Sequence, residues 1–502
     1  MTGTAVGRLI DNVGALILRQ ASTWSLTFVL ILYLPRYLGD TGFGMVTFAT
    51  ALIPLLLIVT NLGVGTYLVK RIAVESEHWS DLFWNAVALR LLGTAVVLVF
   101  MLPIARFFFE GDLRGLLLIT AATLAVMSLV RTQEYAIQGL EKMRWLAFAE
   151  IANKGIVAAV GIALLVSGYG VVTFGAVILL GAVAQMMVNM APLLSLGLRA
   201  PTLRLSHVRE LFVGGLPFFF AGAITNLYTM LDVAMLQALV AQEVVGWYGA
   251  AVQLFATLNF FPLILTTAML PLMSRLYAER SPRFVPMAAR ASAYTLMLSL
   301  PAGVGLAVSS HALIGLLGYP EAFDNSVPVL IILSLTLIPA GQLMMLYMVV
   351  TAMDRQAEWV RLIAVALAIG LLLNVILIPV MHHLTGNGGI GAAIATLAAE
   401  TAQLGLAIRL MPEGLHNRSL ALQSARAVGA VTVMALVVAG LQVFLDAPIF
   451  VFVPLGAATY GSGLLVSGAV SISDFRRLSQ DWLATRSAST RIDPATAVAI
   501  TE

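Results

Sequence analysis

Six ionisable side chains lie inside apolar runs in the first 200 residues: Arg19, Arg90, Arg131, Glu134, Glu150 and Lys154. A charge within a membrane span costs a few kcal/mol, so each of these residues is a candidate for function. Four cations against two carboxylates predict a net positive cavity. Such a cavity suits a pyrophosphate, because Arg and Lys both bind phosphate oxygens. We therefore predict that Arg19, Arg90, Arg131 and Lys154 bind substrate.

Structural roles are the alternative for these residues. Glu150 precedes Lys154 by four positions and Arg131 precedes Glu134 by three, spacings at which helical side chains form ion pairs. Arg19 and Arg90 lie near enough to one end of their runs to reach lipid headgroups.

The second half of the chain carries few charges inside its apolar runs. Asp232 and Glu400 are the main exceptions. We predict that Asp232 or Glu134 binds a coupling H⁺ or Na⁺, although Asp232 could instead cap the outer end of its helix beside water. Neutral polar residues such as Gln185, Asn259 and Asn374 could bond between helices or face a substrate.

The elements that carry these residues are long apolar segments. Sixty per cent of residues are hydrophobic, 11% are charged and the mean hydropathy is +0.96, values that exclude an ordinary soluble domain. Runs of about 20 residues are long enough to cross a bilayer as helices, and they lack the short alternation of transmembrane β-strands. We predict an all-α polytopic membrane protein with fourteen spans, at about residues 13–36, 44–69, 83–106, 113–138, 146–168, 170–198, 209–231, 246–273, 285–307, 326–351, 357–380, 388–411, 422–444 and 449–471.

The distribution of positive charge predicts the orientation. If both termini are cytoplasmic, the outward connections hold only Arg36, Arg106 and Arg114, and the other 25 of the 28 Lys and Arg lie on the inner side. Cationic residues accumulate in cytoplasmic loops. We therefore predict a bacterial or archaeal cell (inner) membrane protein with both ends inside, and the small net charge of +3 gives no reason to expect nucleic-acid binding.

An internal repeat relates the two halves of the chain. Residues 38–57 (LGDTGFGMVTFATALIPLLL) parallel residues 239–258 (LVAQEVVGWYGAAVQLFATL), which aligns Gly44 with Gly246. A period of six spans gives two lobes of the same topology, an arrangement in which transporters bind substrate between the lobes and rock. We predict an N-lobe at 1–205, a C-lobe at 206–415, spans 13 and 14 within 416–471, and a cytoplasmic tail at 472–502.

Several classes of site are not expected. The chain has no cysteine, which excludes disulfides, thiol catalysis and cysteine-ligated metals. We predict no metal site and no cofactor beyond the coupling ion. The short connections predicted between spans leave no room for a soluble catalytic domain, so the chain is not expected to be an enzyme.

Four stretches resemble a known family. The first repeat continues into IVTNLGVGTYLVKR (58–71), and it is followed by QGLEKMRWLAFAEI (138–151), LDVAMLQALVAQEVVGWYGAA (231–251) and NVILIPVMHHLTGNGGIGAAIATLAAE (374–400). In order and spacing they are similar to the oligosaccharide flippases, which carry lipid-linked O-antigen or polysaccharide units. These belong to the multidrug/oligosaccharidyl-lipid/polysaccharide exporter superfamily.

The resemblance implies a function and partners. It implies translocation of a polyprenyl-pyrophosphate-linked oligosaccharide from the cytoplasmic to the outer leaflet through a cationic cavity. Membrane lipids and glycan polymerase machinery are the expected partners. A multidrug/cation antiporter of the same superfamily and a lipid II flippase are the alternatives. The early Arg-Asp pair usual in lipid II flippases is missing, since Met45 follows PRYLGDTGFG.

Overall fold

The computed structural model describes the backbone of residues 5–415, 418–445 and 447–469. Side chains are described from residue 22 onward in these ranges, apart from Ser76, Pro217, Ala221, Phe261, Ala268 and Ser419. The side chain of Arg19 and the predicted tail at 472–502 therefore lie outside the described residues.

The described chain is helical throughout, without a strand. Helices suit these apolar runs because every backbone N–H and C=O that meets lipid must be paired within its own segment. The α-helices are α1 (Ala5–Asn61), α2 (Val64–Val74), α3 (Trp79–Phe108), α4 (Gly111–Gly139), α5 (Met143–Val166), α6 (Val171–Ser195), α7 (Leu205–Leu239), α8 (Gln242–Leu258), α9 (Phe260–Ala278), α10 (Phe284–Leu317), α11 (Ser326–Ala352), α12 (Gln356–Thr385), α13 (Gly388–Ile408), α14 (Arg418–Leu445) and α15 (Ile449–Val466).

Twelve of these helices are long and apolar enough to cross a membrane, or thirteen if the bent pair α8 and α9 forms one span. One of the twelve, the Ser22–Asn61 part of α1, has 40 residues and would extend about 60 Å if straight, twice the thickness of a bilayer core. Gly39 divides α1, because its φ of 66° and ψ of −178° are not helical. The two arms of α1 therefore match the first two of the fourteen predicted spans.

Two predicted spans are broken within their length. Predicted span 2 is interrupted between α1 and α2, where Leu62 and Gly63 have positive φ angles of 47° and 71°. Predicted span 8 bends by 41° between α8 and α9. The hydropathy pattern alone shows neither break, because both segments stay apolar through the bend.

The helices of the two predicted lobes pack together at two places. At the Gly44 end, a buried apolar cluster joins residues of α1 to residues of α8, α10 and α11, among them Phe43, Val245 and Leu330. At the Gly63 end, α2 packs on α7, and Arg71 Nε lies 2.9 Å from Glu210 Oε1. Contacts between the two predicted lobes are thus present at both the Gly44 end and the Gly63 end.

Candidate functional site

A cavity of about 440 Å³ lies in the predicted N-lobe. Residues 27–34 of the first arm of α1 and residues 46–54 of the second arm line the same cavity, so the chain turns back on itself at Gly39. Helices α4, α5 and α6 complete the wall, and Gln253 of α8 reaches it from the other lobe. The polar lining residues are Thr27, Thr50, Thr123, Arg131, Glu134, Glu150, Asn153, Lys154, Gln185 and Gln253.

Hydrogen bonds link α4, α5 and α6 across this cavity. Arg131 Nη1 donates to Glu134 Oε2 at 2.8 Å, and Gln185 Nε2 donates to Glu134 Oε1 at 2.9 Å. Asn153 Nδ2 in turn donates to Gln185 Oε1 at 2.5 Å. Both oxygens of Glu134 are therefore engaged, and the ion pair with Arg131 is the one that the helical spacing allowed.

Lys154 differs from Arg131 in its contacts. It lines the cavity and is half-buried, yet it makes no hydrogen bond and no ion pair with any described residue. The carboxylate of Glu150, one helical turn earlier, interacts electrostatically with Lys154. No hydrogen bond to a described residue occupies the ammonium, which can therefore bind an anionic ligand. Arg131 and Lys154 are the two predicted cations that the structure brings together.

The described lining of the cavity is balanced in formal charge. It holds Arg131 and Lys154 against Glu134 and Glu150. The sequence-based excess of cations also counted Arg19, whose side chain is outside the described residues, and Arg90, which lies elsewhere.

Arg90 is buried among helices and does not line the cavity. It is 1% exposed, and it donates from Nη1 to Ser128 O at 3.2 Å and from Nη2 to Asn61 Oδ1. Its Cζ lies 5.3 Å from the centre of the Tyr135 ring. Asn61 Oδ1 also accepts from Gly65 N at 3.1 Å. Arg90 thus stabilises the break between α1 and α2, because hydrogen bonds and a cation–π contact offset the cost of burying its charge.

A second cavity, of about 340 Å³, lies in the predicted C-lobe and is lined by Asp232 and Glu400. Asp232 lies seven residues before the end of α7 at Leu239 and is therefore not a helix cap. Its carboxylate accepts from Tyr248 Oη at 2.9 Å, from Asn374 Nδ2 at 2.7 Å and from Thr396 Oγ1 at 2.7 Å. The sequence drew attention to Asn374 as a polar residue inside a span. It gave no comparable signal for Thr396, because threonine is common in such helices.

The two cavities occupy equivalent places in the internal repeat. The offset of 202 positions that aligns Gly44 with Gly246 also relates lining residues of the first cavity to lining residues of the second. The related pairs are Thr27 and Thr229, Leu30 and Asp232, Ile31 and Val233, Val46 and Tyr248, Thr50 and Val252, Ile53 and Phe255, and Pro54 and Ala256.

Gly44 and Gly246 themselves touch where the lobes meet. A Cβ atom on Gly44 would lie 2.0 Å from Gln242 O, and one on Gly246 would lie 2.1 Å from Asp40 O. The contact is reciprocal, since each glycine faces the carbonyl four residues before the other. Only glycine allows this approach of two backbones.

Comparison with known proteins identifies the family. A family model described as polysaccharide biosynthesis protein matches residues 9–277, more than half of the chain. The chain belongs to the polysaccharide biosynthesis protein family. A second model, MatE, matches residues 217–380 of this family member. A comparison with curated protein sequences gives no match.

Solved structures show the same fold for this polysaccharide biosynthesis protein. It is similar to the lipid II flippase MurJ in an inward closed conformation, at 16% identity and a TM-score of 0.74, over 90% of this chain and 98% of that one. An inward-facing multidrug resistance MATE family transporter of the MOP superfamily gives 15% identity and a TM-score of 0.63, over 78% and 97%. A MOP superfamily transporter from Pyrococcus furiosus, described by the reverse polarity of its binding pocket, gives 15% and 0.54, over 81% and 95%.

These findings confirm the predicted resemblance and the all-α membrane fold. The chain is a multi-pass membrane protein with the MOP-superfamily flippase and transporter fold, and the solved structures named are those of transporters and flippases.

Proposed function

We propose that this protein is a flippase that moves a polyprenyl-pyrophosphate-linked oligosaccharide from the cytoplasmic to the outer leaflet, and that it makes and breaks no covalent bond. The observation that carries the proposal is Lys154, a cation without an ion-pair partner among the described residues, which lines an internal cavity together with Arg131. Membership of a polysaccharide biosynthesis family supports a glycan as the cargo.

The pyrophosphate binds at the cationic part of the N-lobe cavity in this proposal. Lys154 contributes a point charge and Arg131 a planar fork of donors, both suited to phosphate oxygens. Arg131 already pairs with Glu134, so a phosphate must compete with that carboxylate. Arg19 precedes Thr27 on α1 by about 12 Å along the helix axis and is the third proposed phosphate ligand.

The transport cycle is alternating access of the two lobes. Both termini are cytoplasmic in this proposal, on the charge asymmetry of the loops. The coupling ion, H⁺ or Na⁺, binds at Asp232, with Glu134 as the other candidate. Membrane lipids and glycan polymerase machinery are the proposed partners.

Binding of a sugar-free polyprenyl pyrophosphate to the purified protein tests the central claim. Farnesyl pyrophosphate is a suitable probe. Lys154→Ala should weaken its binding by roughly 10- to 150-fold, because a hydrogen bond to a charged group is worth about 1.5–3 kcal/mol. Arg19→Ala and Arg131→Ala should act in the same direction, and the charge-keeping Lys154→Arg should recover most of the affinity.

Lys142 supplies the matched control, since it is an exposed lysine at the start of α5. Lys142→Ala should bind farnesyl pyrophosphate as the unmodified protein does. Unchanged binding in the Lys154, Arg131 and Arg19 alanine variants, each folded, would show that the cationic-cavity mechanism is wrong.

Two other cargoes have observations in their favour. The carboxylates Asp232 and Glu400 in the C-lobe cavity suit a multidrug/cation antiporter, and the likeness to MurJ brings lipid II into consideration. Efflux of ethidium that Lys154→Ala leaves intact would favour the antiporter. Binding restricted to a lipid-linked peptidoglycan precursor would favour lipid II.

A further inference from the structure

Three polar residues of the C-lobe cavity have no partner in the part of the chain that the structure describes. Tyr228, Asn259 and Glu400 all line the cavity, and none of them makes a hydrogen bond or ion pair with a described residue. Tyr228 Oη, Asn259 Oδ1 and Glu400 Oε2 are themselves buried atoms. Buried polar groups without partners are costly and uncommon in native structures, so these three side chains are available to a ligand.

Asp232 differs from these three residues because its side chain already has hydrogen-bond partners. Its carboxylate is already surrounded by the three donors from Tyr248, Asn374 and Thr396. A ligand in the cavity would therefore meet the other three side chains, which are a carboxylate, an amide and a phenol. Together they offer both acceptors and donors, which is the demand of a ligand bearing several hydroxyl groups.

The size and lining of the cavity indicate the same kind of ligand. Its volume of about 340 Å³ is roughly ten times the 30 Å³ that a water molecule occupies, so a single bare cation would leave it mostly empty. Aromatic rings of Tyr228 and Phe255 line it, and its described lining holds no Lys, Arg or His that could attract a phosphate. Apolar surface with a few convergent polar groups is typical of a small-molecule site.

The position of this cavity relates it to the proposed pyrophosphate site. Gln253 of α8 lines the N-lobe cavity, while its neighbour Val252 and Phe255 line the C-lobe cavity. The two cavities thus lie on different faces of one helix, whose diameter with side chains is roughly 10–12 Å. A ligand that reaches both cavities must therefore extend by at least this diameter, which a pyrophosphate followed by sugar rings can do.

We propose that the C-lobe cavity is a carbohydrate subsite, in which Glu400, Asn259 and Tyr228 bind hydroxyl groups of the first sugars while the pyrophosphate occupies the N-lobe cavity. This inference rests on the proposed flippase function. Sugar hydroxyls donate to Glu400 and to Asn259 Oδ1, the Asn259 amide N–H groups donate back, and the rings of Tyr228 and Phe255 contact the apolar face of the sugar.

The test compares two probes on the purified full-length protein. One is farnesyl pyrophosphate, and the other is a panel of the same pyrophosphate carrying a single glucose, galactose, N-acetylglucosamine or N-acetylgalactosamine. At least one sugar-bearing probe should bind more tightly than the bare one. Tyr228→Phe, Asn259→Leu and Glu400→Leu should each reduce that gain by roughly five- to tenfold and leave the affinity for the bare probe unchanged.

Two control variants separate a sugar from a cation. Tyr460→Phe removes a phenol that donates to Met297 O and does not line the cavity, and it should change neither affinity. Glu400→Gln keeps hydrogen-bonding groups and removes the charge, so it should retain most of the sugar-dependent gain.

Each other outcome overturns a defined part of the argument. If the bare probe binds in a Lys154-dependent manner but no sugar adds affinity, the subsite is wrong and the flippase proposal stands. If Glu400→Gln loses as much as Glu400→Leu and also changes the Na⁺ or pH dependence of binding, Glu400 is a second cation ligand beside Asp232 and the subsite is wrong. If the bare probe does not bind, the proposed function itself fails.

Discussion

The two cavities are lined by equivalent backbone positions of the repeat, but they differ in charge. Equivalent positions of the repeat line both of them, but Leu30 in the N-lobe corresponds to Asp232 in the C-lobe. The cations of the N-lobe cavity lie on α4 and α5, and the second carboxylate of the C-lobe cavity lies on α13. A repeated fold can thus keep the backbone of a cavity while the side chains that decide its ligand diverge.

The contact between Gly44 and Gly246 is also formed by equivalent positions of the repeat. Gly44 and Gly246 occupy the same repeat position and pack against each other. Helices α1 and α8 of the two predicted lobes meet there through backbone atoms, which leaves no flexible side chain to adapt to a substitution.

The largest effect is expected from adding a methyl group at this contact. Gly44→Ala or Gly246→Ala would place a Cβ about 2 Å from a carbonyl oxygen, so the closed contact could not form and transport should fall by more than about tenfold, a change of about 1.4 kcal/mol or more. The chain has no cysteine, so a single Thr50→Cys can report access to the N-lobe cavity. Its reaction with an impermeant maleimide added outside intact cells should increase in the Gly44→Ala background.

Controls for this experiment also test the proposed orientation. A methyl group added at Gly405 of α13 would meet nothing within 4 Å among the described residues, so Gly405→Ala should leave transport and labelling unchanged. Glu243→Cys should react from outside and Arg283→Cys should not. Normal transport and labelling in Gly44→Ala would mean that this contact is not a gate.

An intermediate effect is expected from neutralising the coupling carboxylate. Asp232→Asn keeps the size of the side chain but removes the charge that holds H⁺ or Na⁺, so transport in vesicles should lose its dependence on the ion gradient. Moving one charge across 100 mV is worth about 2.3 kcal/mol, and a tenfold change corresponds to about 1.4 kcal/mol. Gradient-driven transport by Asp232→Asn should therefore fall by about tenfold or more. Arg131 already neutralises Glu134, so a cation gains less there, and Glu134→Gln should retain the dependence.

The coupling assignment has a clear contrary outcome. If both variants keep the ion dependence of the unmodified protein, the two carboxylates have structural roles. If only Glu134→Gln loses the dependence, the coupling site is in the N-lobe cavity and the contrast between the lobes must be reversed.

The smallest effect on transport is expected at Arg90. Arg90→Leu removes charged hydrogen bonds to Ser128 and Asn61 and should destabilise the fold by about 2–3 kcal/mol, measured as a lower Tm in detergent. Lys154→Leu should leave the Tm unchanged or raise it, because Lys154 has no hydrogen bond or ion pair with a described residue to lose. At matched membrane levels Arg90→Leu should change transport by less than about threefold. A normal Tm with lost binding of farnesyl pyrophosphate would instead make Arg90 a substrate ligand.

Arg90 and Lys154 also show the reach of sequence-based prediction. Both are cations inside apolar spans, and the sequence placed them in one substrate-binding set. The structure separates them, because the contact of Arg90 with Asn61 and Tyr135 depends on how α1, α3 and α4 pack. The pair of Arg131 with Glu134 could be predicted, since it depends only on the geometry of one helix.

By itself the sequence determined the helical class, the approximate number and limits of the spans and the internal repeat, because a bilayer demands long apolar helices and hydropathy records them directly. It also indicated the family. Only the tertiary structure decided which polar groups share a cavity, that Asp232 is surrounded by Tyr248, Asn374 and Thr396, and that Gly44 meets Gly246. Those features depend on the rotation of each helix about its axis and on contacts between residues far apart in the chain. The hydropathy of a single segment records neither the rotation nor the contacts.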